Sequence, residues 1–136
     1  MRKRYPGTTS IEVSDRTTPA ELDLIRASAS KYDAVVVSIF VRASSGSGRM
    51  DLAAPVTKLL NDVAKSVGNK PMVTTFFGNP YVAMFLPDLP AMLLTYDLYD
   101  AAELAAVRAL VGEAPITGRL PITMPGLFEA GTSIVR

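Results

Sequence analysis

The sequence predicts an α/β domain, a three-layer α/β/α sandwich in which helices cover both faces of a mostly parallel sheet. Three observations lead there. Short runs rich in β-branched residues alternate along the chain with stretches of helical period. One of those runs, Ala34 to Val41 (AVVVSIFV), is almost continuously apolar, as a strand buried on both faces must be. The 136 residues, 49% apolar and 20% charged, suit a single domain with its own core and leave no room for a second.

Taken in order, Ser10 to Ser14 reads as a first short strand. Thr17-Thr18-Pro19 then supplies an N-cap and a proline for the first turn of a helix. Leu22, Ile25, Ala29 and Tyr32 recur at spacings of three and four, so this helix is amphipathic and runs to Lys31 or Tyr32. Ala34 to Val41 follows as the central strand. After a polar loop from Arg42 to Arg49, Val56, Leu59, Leu60, Val63 and Val67 mark a second helix that ends near Gly68. Pro55 must sit in its first turn, because deeper inside it would remove a hydrogen bond and clash, so the helix starts close to Asp51.

The unit then repeats. Pro71 to Phe77 (PMVTTFF) is a strand, Gly78-Asn79-Pro80-Tyr81 its exit loop, and Val82 to Leu86 a short helix. Ala91 to Tyr96 (AMLLTY) is the next strand. Asp100 and Glu103 resemble a capping box ahead of Leu104, Val107, Leu110 and Val111, with Gly112 as the stop. Pro115 to Phe128 carries three prolines and two glycines, so a strand there, from Leu120 to Thr123, belongs at a sheet edge. Met72, Met84, Met92 and Met124 read as core filler.

Charge and composition exclude several functions. Fourteen basic and thirteen acidic side chains leave a net +1, too little to draw the domain to nucleic acid or an anionic membrane. The basic run Arg2-Lys3-Arg4 reads as a solvated tail. No apolar stretch approaches the ~20 residues of a membrane span, and the first twenty residues lack the apolar centre of a signal peptide. There is no cysteine, hence no disulfide framework and no thiolate nucleophile, and redox compartment is not legible.

Ligands of open parallel sheets bind where the loops leave the carboxyl ends of the strands. Three loops qualify: Arg42 to Arg49, Gly78 to Tyr81, and Tyr96 to Tyr99. The candidate rim residues facing a substrate or a neighbouring domain are Arg42, Ser47, Arg49, Asn79, Tyr81, Tyr96 and Asp97. Gly46-Ser47-Gly48 has the glycines of a phosphate loop, but neither the lysine-terminated pattern nor a full dinucleotide fingerprint accompanies it, so a flexible polar loop is favoured and no cofactor is expected. Arg42 and Arg49 suit a carboxylate on a neighbouring domain, being bidentate donors. Asn79 and Pro80 are expected to cap and open the short helix, and Tyr81 and Tyr96 to be partly buried packing residues.

Catalysis by these residues alone is not expected. The absence of histidine removes the commonest general base, the serine triad and histidine metal sites together. A glycosidase needs two carboxylates across the scissile bond, and the rim offers only Asp51, better read as complementing a helix dipole, and Asp97, better read as a loop residue.

Three segments, YDAVVVSIFVRASSGSGRMDL, KPMVTTFFGNPYVAMFLPDLPAMLLTYD and ITGRLPITMPGLF, resemble in order and spacing the C-terminal domain of bacterial glycoside hydrolase family 3 enzymes, above all two-domain β-N-acetylhexosaminidases. The likeness spans about Ile11 to Phe128, and its most specific parts are Phe77-Gly-Asn-Pro-Tyr81 and Gly118-Arg-Leu-Pro121. It implies a flavodoxin-like three-layer sandwich that accompanies a TIM-like catalytic barrel. The resemblance places an aspartate nucleophile and a histidine-aspartate acid/base arrangement in that barrel, so none of these residues is carried onto this chain. In the β-glucosidase branch a second-domain loop supplies an acid/base glutamate; the rim loops here hold no glutamate, which favours the hexosaminidase branch. Asp97 departs from the small residue usual at its position.

The expected function is therefore an accessory domain that docks on a catalytic barrel and helps shape its carbohydrate site. The alternative is a free-standing flavodoxin-like module that binds a small anion or sugar at the same rim. Self-association is a third expectation, through a surface that otherwise meets the barrel.

Overall fold

The computed structural model describes residues 3–14, 16–42 and 51–134. Thr18 opens the first helix, α1 (Pro19–Ala29), with a reciprocal cap. Its hydroxyl accepts from the Glu21 backbone N–H at 3.3 Å, and the Glu21 carboxylate accepts from the Thr18 N–H at 2.7 Å. The helix stops at Ala29, shorter than its apolar spacing implies, and the N–H groups of Lys31 and Tyr32 close the exit turn on Ser28 and Ala29. Ser10 to Ser14 is not a strand. Ser14 and Thr17 bond each other's backbone and hydroxyl groups in a turn instead, the local competition that serine and threonine offer to sheet pairing.

Three parallel strands follow in the order β1 (Val35–Val41), β2 (Met72–Gly78) and β3 (Met92–Leu94), with α2 (Ala54–Val67) between the first two and a 3-10 helix (Pro80–Phe85) between the last two. Val35 lies beside Met72 and Val41 beside Gly78, while Thr74 to Phe76 pair with Met92 to Leu94. Among the described residues the central strand is thus β2, and the expectation that the Ala34–Val41 run is central is corrected: β1 stands at the edge of these three strands. Only its odd-numbered side chains join the core, and Val36 and Phe40 remain 43% and 52% exposed. α2 begins at Ala54, three residues after Asp51, with Pro55 in its first turn and Gly68 at its C-cap. The third strand ends at Leu94 because Tyr96 adopts a positive φ of 62°, which extended pairing does not admit.

On one face of the sheet, α1, α2 and the 3-10 helix enclose a core of Ile39, Leu60, Val63, Phe76, Val82, Leu86 and Met124. Burial of these apolar groups is the main favourable term of folding. Asp62 on α2 joins the two helices by accepting from Lys58 at 2.7 Å and from Arg26 of α1 at 3.3 Å. Lys70 adds a tie, donating to the carbonyls of Ser30 and Tyr32 beyond α1. Met72 and Met124 are buried, and Met84 and Met92 pack against the same core, as filler residues do.

On the other face lies α3 (Asp100–Leu110), which completes the α/β/α sandwich over β2 and is seated by Ala106. Two expectations fail here. Tyr99 is the N-cap and makes no side-chain bond, so Asp100 and Glu103 form no capping box, although both lie in the first turn where the helix dipole favours them. Leu104 is 55% exposed, and the buried residue of the helix is Ala106. The segment from Leu120 to Thr123 does not join the sheet either. Leu120 pairs with the tail, donating to Thr132 and accepting from Gly131, Pro121 has no N–H to offer, and a lone bridge links Met124 to Phe128.

A candidate rim at the carboxyl ends of the strands

The parallel order of β1, β2 and β3 brings the carboxyl ends of the three strands to one end of the sheet. Gly78 ends β2 at φ 88°, in the left-handed region that glycine enters without strain. That turn lets the Asn79 N–H reach back to the Val41 carbonyl at 2.9 Å, locking the exits of β1 and β2 together. Asn79 then caps the 3-10 helix, its side-chain oxygen accepting from the Tyr81 N–H at 3.1 Å, with Pro80 as first helical residue. Both are as the Asn-Pro pair predicts.

The loop after β3 is tied to the same place. The Thr95 N–H donates to the Phe76 carbonyl at 3.1 Å, and its hydroxyl bonds the same carbonyl at 3.2 Å. Leu98 lays its side chain beside Gly78. Tyr96 is the only non-glycine residue among those described with a positive φ. A bulky aromatic in that region carries backbone strain, and such strain persists only where the surroundings over-determine it. Tyr96 is 41% exposed, and partial burial pushes its phenol above the ordinary pKa. Asp97 turns back on its own loop, its carboxylate accepting from the Leu98 N–H at 2.6 Å.

The rim therefore gathers Asn79, Tyr96 and Asp97, with Arg42 exposed at the end of β1. Tyr81 is partly buried and packs against the main core, which makes it a packing residue. Ser47 and Arg49 lie outside the described residues. Thr95 and Leu98, which knit the loops together, were not singled out from the sequence; no local motif distinguishes a bracing threonine or leucine from any other.

Asp51 precedes α2 and lines a groove of about 560 Å³ beside Lys58, Asn61, Lys65 and Phe85. None of the rim residues Arg42, Asn79, Tyr96 and Asp97 lines that groove. An acid/base pair must face one bond from two sides. Asp97 is engaged by its own loop, and Asp51 lines the groove along α2. Among the described residues, no three acidic side chains come together as a metal site, and no helix is long and apolar enough to cross a membrane. Among the described residues the rim offers a glycine turn, an aromatic ring and a few hydrogen-bonding groups, all of them means of contact. No family model, curated protein or solved structure matches the chain.

Proposed function

We propose that this chain is the accessory C-terminal domain of a family 3 glycoside hydrolase of the β-N-acetylhexosaminidase kind. In this reading it docks its rim on a catalytic barrel and helps shape the sugar site without cleaving bonds itself. The observation that carries the reading is the joining of Phe77-Gly-Asn-Pro-Tyr81, one of the two most specific parts of the family likeness, to the strained Tyr96 loop at one end of the sheet. The Asn79 and Tyr96 loops are tied by hydrogen bonds to the strand ends, so little ordering entropy opposes docking at those two loops. Tyr96 is suited to a sugar or barrel contact, since an aromatic ring gives a large apolar face and a polar tip.

The test is hydrolysis of a chromogenic N-acetylglucosaminide, and of a glucoside for comparison, by this chain alone and joined to a family 3 barrel. Activity toward the N-acetylglucosaminide that needs both partners supports the reading. Activity of the 136-residue chain alone, or barrel activity and stability indifferent to the chain, overturns it.

A further inference from the structure

We infer that Thr95 is a positioning residue of the rim: its hydroxyl holds Tyr96 in the left-handed conformation and so fixes where the Tyr96 ring and the Asp97 carboxylate meet a partner. β3 ends at Leu94, but its ladder carries on for one residue, the Thr95 N–H donating to the Phe76 carbonyl at 3.1 Å. The Thr95 backbone is therefore fixed to the central strand. From that anchor the Thr95 hydroxyl lies 3.2 Å from the same Phe76 carbonyl and 3.3 Å from the carbonyl of Asp97, two residues on. Loss of the hydroxyl would leave the Phe76 carbonyl with the Thr95 N–H. Among the described residues the Asp97 carbonyl has no other donor, so there the hydroxyl has no substitute.

The contact at Asp97 closes a loop of three residues around Tyr96. An extended chain advances ~3.3 Å per residue, which would carry Asp97 about 6.6 Å beyond Thr95 and out of the hydroxyl's reach. A chain that folds back at Tyr96 keeps the two together, and Tyr96 does so with φ 62°. That conformation is unfavourable for tyrosine and persists where the neighbours over-determine it. The neighbours here are Thr95 on one side and Leu98 on the other. The Leu98 N–H donates to the Asp97 carboxylate at 2.6 Å, and the Leu98 side chain lies beside Gly78. Tyr96 and Asp97 are both exposed and neither belongs to the core, so this turn sets the direction of groups at the surface rather than the packing beneath.

The inference rests on the accessory-domain reading for what the ring meets, but not for what holds the ring. Two arms test these separately. In the chain alone, NMR reads the strong intraresidue cross-peak between amide and α protons that marks a left-handed residue. It is expected at Tyr96 in the parent and in Thr95→Ser, which keeps the hydroxyl. In Thr95→Val, which keeps the β-branched shape without it, the left-handed population falls about threefold to tenfold relative to the extended one. A double-mutant cycle adds a readout that a merely structural hydroxyl would not move. Glycine enters the left-handed region unaided, so the stability lost on Thr95→Val shrinks by about half or more in the Tyr96→Gly background. An equal loss in both backgrounds, or a Thr95→Val chain whose Tyr96 keeps its cross-peak, overturns the inference.

In the second arm the chain is joined to a family 3 barrel. Thr95→Val is expected to raise KM for the chromogenic N-acetylglucosaminide about threefold to tenfold with kcat little changed, and Thr95→Ser to restore it. An unchanged KM, where the barrel does respond to the parent chain, overturns the positioning role. A barrel indifferent to the whole chain overturns the accessory-domain reading instead, and the hold of Thr95 on Tyr96 is then decided by the first arm.

Discussion

A side chain at Gly78 would run into the carbonyl oxygen of Val41, and the Leu98 side chain closes the space from the other side. Neither obstacle can retreat cheaply. The carbonyl is held by the Asn79 N–H, and the left-handed φ of 88° is itself unfavourable for any residue with a Cβ. Gly78→Ala is therefore expected to cost about 2–3 kcal/mol, measured by denaturant unfolding. A loss below about 0.5 kcal/mol would show that the β1 and β2 exits are not locked as described.

Tyr96 occupies the left-handed region without being glycine, so replacements there should rank by backbone tolerance rather than by size. Asparagine enters this region readily and a β-branched residue does not. Tyr96→Asn is expected to stay within about 1 kcal/mol of the parent chain, while Tyr96→Val loses about 2 kcal/mol. Equal effects of the two would mean that the ring's packing, not its backbone, decides. If the rim docks on a barrel, Tyr96→Asn should also lower barrel-dependent hydrolysis while leaving the domain folded.

How far the molecule is legible in its sequence depends on how local each cause is. The Asn79-Pro80 cap and the Thr18-Pro19 helix start could be read directly, because capping involves groups only two or three residues apart. The alternation of strands and helices was legible for the same reason. Whether AVVVSIFV lies at the centre or the edge was not, since strand order is set by contacts between distant segments. An apolar run is also compatible with a strand at the edge of the described sheet. The left-handed Tyr96 was hidden because tyrosine gives no local sign of a positive φ. Of the candidate rim, Asn79, Tyr96 and Asp97 are brought together, Tyr81 serves packing, and Ser47 and Arg49 fall outside the described residues.

Acid should weaken the chain through three surface carboxylates. Asp62 is held below its ordinary pKa by hydrogen bonds from Lys58 and Arg26, Glu21 by the Thr18 backbone and hydroxyl, and Glu113 by Arg4. A depressed folded pKa contributes stability above the unfolded value, 3.8 for Asp62 and 4.5 for the two glutamates. That stability is lost as pH falls through the lower folded value. The melting temperature should thus decline from about pH 5 downward, more gently at high salt because these pairs are exposed. Asp62→Asn should flatten the decline while lowering stability at neutral pH; an unchanged slope would remove Asp62 as a contributor.

The central strand carries two adjacent threonines, Thr74 and Thr75, both fully buried and on opposite faces of the sheet. Neither hydroxyl has a hydrogen-bond partner among the described residues. A buried hydroxyl left unpaired costs about 1–3 kcal/mol relative to a paired one, and valine has nearly the same shape without that cost. Valine also keeps the β-branched fit to a strand. Thr74→Val and Thr75→Val are each expected to raise stability by about 1 kcal/mol, read as a shift of the denaturant midpoint without a change in slope. Since the two side chains face different helical layers, their effects should add in the double variant. A loss of similar size in either single variant would show instead that its hydroxyl is bonded in solution, most simply to a buried water that the hydroxyl orders between strand and helix.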